Sequence, residues 1–335
     1  MRAVEVSVDR VLRAVQREDP SPAQGQALVE VAYCGICGSD LHFRGVPELF
    51  PAGTVPGHEF SGRIVALGAG ASGWTVGERV CVLPFAQCGE CESCRAGDEQ
   101  VCPHAIPNGV GLGTGRPGAY AERVIVDQRM LFALPDEVDD RAGALVEPLA
   151  VAVRAIAQAT SALDQPVAVL GAGPVGLLTA LVARERGYNK VVLVSRNPGR
   201  AKRAAKLGLD VRSPAEVEAS AASDPPGCVF ECAGTPTAAE LGVGLLRPRG
   251  KLMLVGLALE PLVLPAPTLV LKELELRGIL AYTRAEFAVA IELLAAGRIP
   301  IESLITEVAQ LERAEAAFRA LTSTGNDRLK VLLRP

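Results

Sequence analysis

The sequence predicts a two-domain α/β protein, with a mostly β first domain and a doubly wound parallel sheet in the second. A chain of 335 residues is longer than one hydrophobic core usually serves. Short β-prone runs dominate the first 146 residues, whereas apolar strands alternate with helical stretches between about 150 and 282. Such alternation is typical of a parallel sheet covered by helices on both faces.

The predicted elements follow the chain in that order. The first domain has β-prone runs at 27–33, 62–67, 79–83 and 123–126, which predict a mostly antiparallel sheet. The second has strands at 167–170, 191–194, 228–232, 251–256 and 274–280, with helices at 175–186, 200–207 and 238–246. Two amphipathic helices, 286–296 and 312–321, precede a last strand at 330–333. We expect domains at 1–147 and 148–283, with a tail at 284–335 that returns to the first domain.

Composition narrows the classes of function. The net charge of −4 provides no basic field, so nucleic acid is not an expected partner. The N-terminus lacks the apolar core of a signal peptide. The apolar run 167–183 is interrupted by three glycines and a proline, which indicates a strand, a turn and a helix rather than a membrane span. We therefore expect a cytoplasmic protein whose nine cysteines are thiols, metal ligands or catalytic groups rather than disulfides.

A glycine-rich turn follows the first strand of the second domain and opens a helix. Its spacing, G-x-G-x-x-G, is that of a dinucleotide-binding turn. The first glycine allows a tight turn, the second lets the backbone approach the pyrophosphate, and the third lets the helix pack closely against the strand. The helix N-terminus offers free N–H groups to the phosphates. The sequence thus predicts a Rossmann cofactor domain that binds through Gly171, Gly173, Pro174, Val175 and Gly176.

The end of the second strand of this domain predicts which nicotinamide cofactor binds. NAD-specific sites place Asp or Glu there, to hold the ribose hydroxyls. This chain has Ser195 and Arg196 instead, and Arg200 follows closely. A hydroxyl and guanidinium groups suit a ribose 2′-phosphate, so the sequence favours NADP(H) over NAD(H). The alternative is a solvated loop arginine beside a permissive pocket.

Four closely spaced cysteines predict a structural zinc site in a lobe at about 86–104. Their spacing is C-x2-C-x2-C-x7-C, formed by Cys88, Cys91, Cys94 and Cys102. Four thiolates so close together are typical of a closed tetrahedral zinc site. The last interval is longer than in the usual bacterial iron–sulfur motif.

A second set of residues predicts a catalytic metal. Cys37, His58 and Glu59 lie in turn-rich segments of the first domain, and Glu147 stands at the entrance to the second. A catalytic zinc takes about three protein ligands and keeps one position open. Cys37, His58 and one carboxylate, Glu59 or Glu147, supply that set. Taken alone, Cys34 and Cys37 have the spacing of a redox pair, and His58 could be an ordinary buried histidine.

Six motifs, taken together, resemble the zinc-containing medium-chain dehydrogenase/reductase family, the alcohol dehydrogenases. Within that family the resemblance is to the sorbitol, 2,3-butanediol and threonine dehydrogenase branch, and it runs over essentially the whole chain. The motifs are CGICGSDLH at 34–42, GHEFSGRIVALG at 57–68, the four-cysteine lobe, ALVEPLAVAV at 144–153, VLGAGPVGL at 169–177 and ESLITEV at 302–308.

The resemblance implies a GroES-like fold for the first domain and a homodimer or homotetramer. It implies that Cys37 and His58 bind the catalytic zinc, and that Glu59 binds it or stands directly behind it. Glu147 matches the position of the third ligand.

Three further roles come from the same resemblance. Ser39 matches the hydroxyl that contacts the substrate oxygen, and His42 matches the outer member of a proton relay. The pair Ser195-Arg196 resembles the one that binds the 2′-phosphate in NADP-dependent bacterial secondary-alcohol dehydrogenases.

The expected function is zinc-dependent hydride transfer between NADP(H) and a secondary alcohol or polyol and its ketone. The alternative from another class is a catalytically silent, NADP(H)-binding redox sensor on the same fold. The complete metal set, Cys37, His58, Glu59 and Glu147, disfavours that alternative and disfavours a zinc-free quinone reductase. The expected partner is a small alcohol or ketone, with neither nucleic acid nor membrane.

Overall fold

The computed structural model describes residues 1–113, 115–323 and 325–335. The chain divides into two compact units. The first contains Met1–Glu147 and Thr283–Pro335, and the second contains Pro148–Tyr282.

The amino-terminal part of the first unit is built mainly from strands. Its elements are β1 (Arg2–Val6), β2 (Leu12–Gln16), β3 (Gln26–Gly35), α1 (Gly38–Phe43), β4 (Glu59–Leu67), β5 (Arg79–Val82), α2 (Glu92–Arg95), β6 (Arg123–Asp127), β7 (Leu131–Ala133) and α3 (Asp140–Gly143). The β1–β2 hairpin is not among the predicted strands, because its exposed face carries charges that hide the alternation.

The second unit alternates strands and helices. Its elements are α4 (Val146–Ala159), which begins in the first unit, then β8 (Val167–Leu170), α5 (Pro174–Glu185), β9 (Val191–Val194), α6 (Pro198–Lys206), β10 (Asp210–Arg212), α7 (Pro214–Ala221), β11 (Cys228–Glu231), α8 (Pro236–Leu245), β12 (Lys251–Leu254), α9 (Ala266–Leu271) and β13 (Glu275–Gly278). All six strands are parallel, in the order β10-β9-β8-β11-β12-β13. This is the Rossmann order, and it confirms the predicted doubly wound sheet.

The carboxyl-terminal segment supplies the rest of the first unit. It contains α10 (Arg284–Ala295), β14 (Ile305–Gln310), α11 (Ala314–Thr322) and β15 (Lys330–Arg334). The seven-stranded sheet has the path β14-β15-β3-β4-β5-β7, and β6 pairs with β3. Because β15 pairs with the last residues of β3, the end of the chain lies beside the turn that follows β3.

Burial explains why these strands form. All residues of β8 and β11 are buried, as expected for strands covered on both faces. Every residue of the edge strand β13 is exposed instead. Within the described residues, no helix combines the length and apolar character needed to cross a bilayer.

Candidate active site and metal sites

The structure brings Cys37, His58 and Glu59 together. One ligand atom from each lies within 4.8 Å of the others. The strand register causes this, because Gly35 at the end of β3 pairs with Glu59 at the start of β4. The turn after β3 therefore carries Cys37 to the segment that carries His58. A Cβ at Gly35 would stand 2.2 Å from Glu59 Oε2, so a side chain at this position would displace the carboxylate of Glu59.

Exposure in the cluster is uneven. His58 and Glu59 are 4% and 1% exposed, whereas Cys37 is only partly buried. Two ligand candidates thus stand in the protein interior, where a metal would have fixed partners, and the third lies nearer the surface. An imidazole, a thiol and a carboxylate at this separation fit the donor set of a catalytic zinc.

Asp40 lies behind His58, at ion-pair distance from the imidazole ring. Asp40 is 1% exposed, and its Oδ1 lies 3.5 Å from His58 Nδ1. A carboxylate behind one ring nitrogen leaves the other, Nε2, to face a metal. Burial opposes the charged form of His58, yet Asp40 and Cys37 outweigh it and raise the pKa of His58 above its ordinary range. Sequence reasoning did not single out Asp40, although it lies within the CGICGSDLH motif.

Lys330 is a second residue that sequence reasoning missed. Its Nζ donates to Glu59 Oε1 at 2.7 Å and Oε2 at 2.6 Å, and to the carbonyl of Ile36 at 3.0 Å. Lys330 is 2% exposed, so it provides a buried counter-charge for Glu59. Burial lowers the pKa of Lys330, but Glu59 outweighs this effect and raises it above its ordinary value.

Glu147 lies outside the close cluster but within electrostatic reach of it. It stands in the first turn of α4 and is 7% exposed. Its charge contributes to raising the pKa values of His58 and Lys330. Ser39 and His42 both lie on α1, directly after Cys37. Ser39 is half-buried and His42 is exposed.

The structure also gathers the four cysteines of the lobe. Their sulfur atoms lie within 4.8 Å of one another, and Cys88 Sγ is 3.6 Å from Cys102 Sγ and 3.9 Å from Cys94 Sγ. Backbone N–H groups of Glu90 and Cys91 lower the pKa of Cys88 to about 6. A cluster that already favours one thiolate suits a cation that ionises all four.

The lobe is attached to α10, the first helix of the carboxyl-terminal segment of the same unit. The carboxylate of Glu99 accepts a hydrogen bond from the backbone N–H of Arg284, the first residue of α10. The guanidinium of Arg284 stacks 4.6 Å from the centre of the Phe132 ring. The lobe therefore helps to hold α10 in place, which is a structural role.

The glycine turn has the geometry that dinucleotide binding requires. Gly171 has φ +108°, a conformation that side chains rarely adopt. A Cβ on Gly176 would lie 1.9 Å from the carbonyl oxygen of Gly171, so the helix could not approach as closely. A Cβ on Gly173 would meet nothing within 4 Å. Gly173 is the N-cap of α5, and Pro174 occupies its first turn.

The loop after β9 closes on itself. Ser195 Oγ accepts the N–H of Asn197 at 3.2 Å and donates to its carbonyl at 3.0 Å. Asn197 Oδ1 accepts the N–H of Arg200 at 2.9 Å and so caps α6. Arg196 is exposed at the tip of the loop.

Glu231 completes the surroundings of the turn and was also missed by sequence reasoning. It ends β11, the strand next to β8, and is 2% exposed. Its Oε1 accepts the N–H groups of Ala233 and Gly234, each at 2.8 Å. Burial raises the pKa of Glu231. This loop touches the turn, because a Cβ on Gly171 would lie 2.9 Å from the nitrogen of Ala233.

Two family matches cover most of the chain. Residues 23–136 match the alcohol dehydrogenase GroES-like domain, and residues 174–296 match the zinc-binding dehydrogenase family. The chain belongs to the zinc-containing medium-chain dehydrogenase/reductase family. It is therefore an oxidoreductase with a GroES-like domain and a Rossmann domain, and zinc and a nicotinamide nucleotide are the family's cofactors. The match confirms the resemblance and the fold class that the sequence predicts.

Relatives of this family are similar along nearly their whole length. A sorbitol dehydrogenase of Halalkalibacterium halodurans is 34% identical over 96% of this chain and 94% of its own. A zinc-binding dehydrogenase of Sinorhizobium meliloti 1021, solved bound to NADP, superposes with TM-score 0.90 at 28% identity, over 100% of this chain and 99% of its own. An alcohol dehydrogenase of Escherichia coli CFT073, complexed with NADH, gives TM-score 0.91 at 28% identity and the same coverage.

Proposed function

We propose that this chain transfers a hydride between NADP(H) and a secondary alcohol or polyol and its ketone, at a zinc held by Cys37, His58 and Glu59. The observation that carries the proposal is the approach of these three ligand atoms within 4.8 Å, with His58 and Glu59 buried. A second zinc belongs to the four-cysteine lobe and is structural.

The third ligand is assigned between two carboxylates. Glu59 has an oxygen within 4.8 Å of both Cys37 Sγ and a His58 nitrogen, whereas Glu147 does not belong to that group. Glu59→Gln should then lower the zinc content of the protein, and Glu147→Gln should lower it less.

Each protein group near the metal has a distinct task in the proposed reaction. Bound zinc supplies a Lewis acid for the substrate oxygen. A bound nicotinamide would supply the hydride acceptor for oxidation, and Ser39 would pass the proton of the substrate hydroxyl towards the exposed His42 and solvent. Asp40 holds His58 in orientation, and Lys330 balances the charge of Glu59. Reduction of the ketone takes the same path backwards.

The preference for NADP(H) rests on the loop after β9. Residues 195–209 contain no acid, and four basic residues lie on α6: Arg200, Lys202, Arg203 and Lys206. Asp210, the first acid after the loop, is paired with Arg212 at 2.7 Å. A 2′-phosphate would therefore meet positive charge here. One similar structure contains NADP and another contains NADH. The neighbours therefore do not decide between the two nucleotides, and the proposed preference rests on the residues of this loop.

A screen tests the proposal. NADP(H)-linked absorbance is followed with secondary alcohols, polyols and ketones, with and without a zinc chelator. The similarity to a sorbitol dehydrogenase makes polyols the first compounds to try. We expect turnover with at least one polyol or ketone, loss of the rate in chelator and recovery with zinc. Full turnover by zinc-free protein would contradict the proposal.

The similarity to known dehydrogenases gives no support to the alternative function, a catalytically silent redox sensor.

We further propose that the chain forms a homo-oligomer through β13. Among the described strands, β13 lies at an edge of the parallel sheet, and its four residues are exposed. Five apolar residues in the chain segment between β12 and β13 are 57–84% exposed: Leu257, Leu259, Val263, Val270 and Leu271. An open edge of this kind is a template for pairing with a second copy. Antiparallel pairing of two β13 strands about Leu276 would set Glu275 of one copy opposite Arg277 of the other.

A further inference from the structure

Tyr120 is a buried residue that joins the two segments carrying Cys37 and His58. It is 0% exposed. Its backbone N–H donates to the carbonyl of Pro56 at 3.0 Å, and the neighbouring Ala119 N–H donates to Gly57 at 2.8 Å. These bonds fix the segment that leads into His58.

The ring of Tyr120 is held in one orientation. A Cβ on Gly57 would stand 2.5 Å from Tyr120 Cδ1, so the ring lies directly against this glycine. Phe318 packs on the ring edge-to-face, with centroids 6.1 Å apart. A ring fixed on both sides places its hydroxyl at one point.

The hydroxyl of Tyr120 lies beside the carboxylate of Asp40. The hydroxyl donates to Asp40 Oδ2 at 2.8 Å, and the same oxygen accepts the backbone N–H of Cys37 at 3.2 Å. The other oxygen, Oδ1, faces His58 Nδ1 at 3.5 Å. One carboxylate thus accepts a hydrogen bond from the backbone of Cys37 and lies at ion-pair distance from the ring of His58, and Tyr120 is its nearest donor.

Loss of the Tyr120 hydroxyl should change the positions of both Cys37 and His58. Without the hydroxyl, Oδ2 would keep only the longer bond from Cys37, and the carboxylate could turn away from His58. Partners behind a metal ligand fix its orientation, and their removal typically lowers metal affinity about 10–100-fold.

We propose that Tyr120 is a positioning residue whose hydroxyl fixes Asp40, and through it His58 and the turn at Cys37, in the arrangement that binds the catalytic zinc. This inference rests on the proposed function, because it takes Cys37 and His58 as zinc ligands.

The test is zinc retention by Tyr120→Phe, a variant that removes one oxygen and keeps the ring. Purified protein is mixed with a chelator, and zinc release is followed over time. We expect one of two zincs to leave at least about tenfold faster than in the wild type, while the zinc of the four-cysteine lobe leaves at an unchanged rate. The lobe is therefore an internal control.

Two further variants isolate the effect. Tyr188→Phe removes another phenol hydroxyl, which lies 3.2 Å from Ser161 Oγ in the other unit, and should leave both release rates unchanged. Asp40→Ala should itself speed release. In that background, Tyr120→Phe should add nothing, because the hydroxyl acts through Asp40.

The outcomes separate the inference from the function on which it rests. A wild-type protein that binds only one zinc would contradict the proposed active site. Two zincs in both proteins with equal release rates would overturn the role of Tyr120 alone. Faster release from both sites would show a general loss of stability and would overturn the inference as well.

Discussion

Ser195 directly follows β9, in the loop that we propose to bind the ribose 2′-phosphate of NADP(H). Ser195→Asp would bring a carboxylate to the place proposed for the 2′-phosphate, and like charges repel. We expect kcat/KM for NADPH to fall at least about tenfold relative to that for NADH, since a charge-assisted contact contributes about 1.5–3 kcal/mol. Steady-state kinetics with both nucleotides measures this ratio.

A matched variant controls for the added charge. Ser223→Asp places the same carboxylate on an exposed loop of the same unit and should leave the ratio unchanged. If Ser195→Asp leaves the ratio where it was, the assignment of the 2′-phosphate to this loop is wrong.

Residue chemistry alone predicted part of the active site. Cys37, His58 and Glu59 have the side chains that zinc prefers, and the structure places them together, but the sequence left the third ligand open between Glu59 and Glu147. Lys330 lies 271 positions from Glu59, and a lysine in an apolar strand is normally expected at the surface. Tyr120 carries no signal of its own, because its role depends on a hydroxyl that meets Asp40 80 positions away.

At the scale of elements, the β8–α5 turn separates two roles of glycine. Gly173→Ala adds a Cβ that meets no protein atom, at a φ of −78° that any residue adopts. We expect normal stability but a higher KM for NADPH, because the Cβ would stand where the pyrophosphate approaches. Gly176→Ala adds a Cβ 1.9 Å from the Gly171 carbonyl and should lower the free energy of unfolding by about 1–3 kcal/mol.

Urea unfolding and NADPH titration, applied to both variants, measure these effects. We expect Gly173→Ala to change mainly the binding of NADPH and Gly176→Ala to change mainly the stability, so each variant serves as the control for the other. Equal losses of stability in Gly173→Ala and Gly176→Ala would contradict the division of roles.

Element prediction succeeded where burial was uniform. The apolar runs of β8 and β11 are covered on both faces, so the sequence shows them directly. By contrast, β10 has only three residues, two of them charged, and its pairing with β9 supplies what its composition does not. The β1–β2 hairpin likewise depends on its partner strand rather than on its own pattern.

For the whole molecule, the exposed edge at β13 predicts self-association. Sedimentation should give a mass of two or four times the 35.0 kDa of a single chain. Arg277→Glu would place like charges opposite each other across two β13 strands and should weaken association at least about tenfold, because close like charges cost several kcal/mol. The double variant Glu275→Arg/Arg277→Glu restores opposite charges and should restore association. A monomeric wild type, or no rescue by the double variant, would refute this interface.

The arrangement of the whole chain was predictable only in outline. The change from short β runs to alternating strands and helices indicated two folds, and the spacing of the four cysteines indicated the lobe. The sequence led us to expect that the tail at 284–335 returns to the first domain. It did not indicate which elements pair there, because β15 and α10 reach β3 and the lobe from the other end of the chain.

Zinc content and turnover of Cys37→Ser, measured side by side, test whether hydride transfer takes place at a zinc that Cys37 binds. We expect two zincs per chain in the wild type and one in the variant, with NADPH binding retained and turnover reduced about a thousandfold or more, since a metal's charge stabilisation is worth several kcal/mol. Cys81→Ala removes a buried thiol of the same unit and should keep both zincs and turnover. Wild-type turnover in Cys37→Ser, or active wild-type protein with one zinc, would contradict hydride transfer at this site.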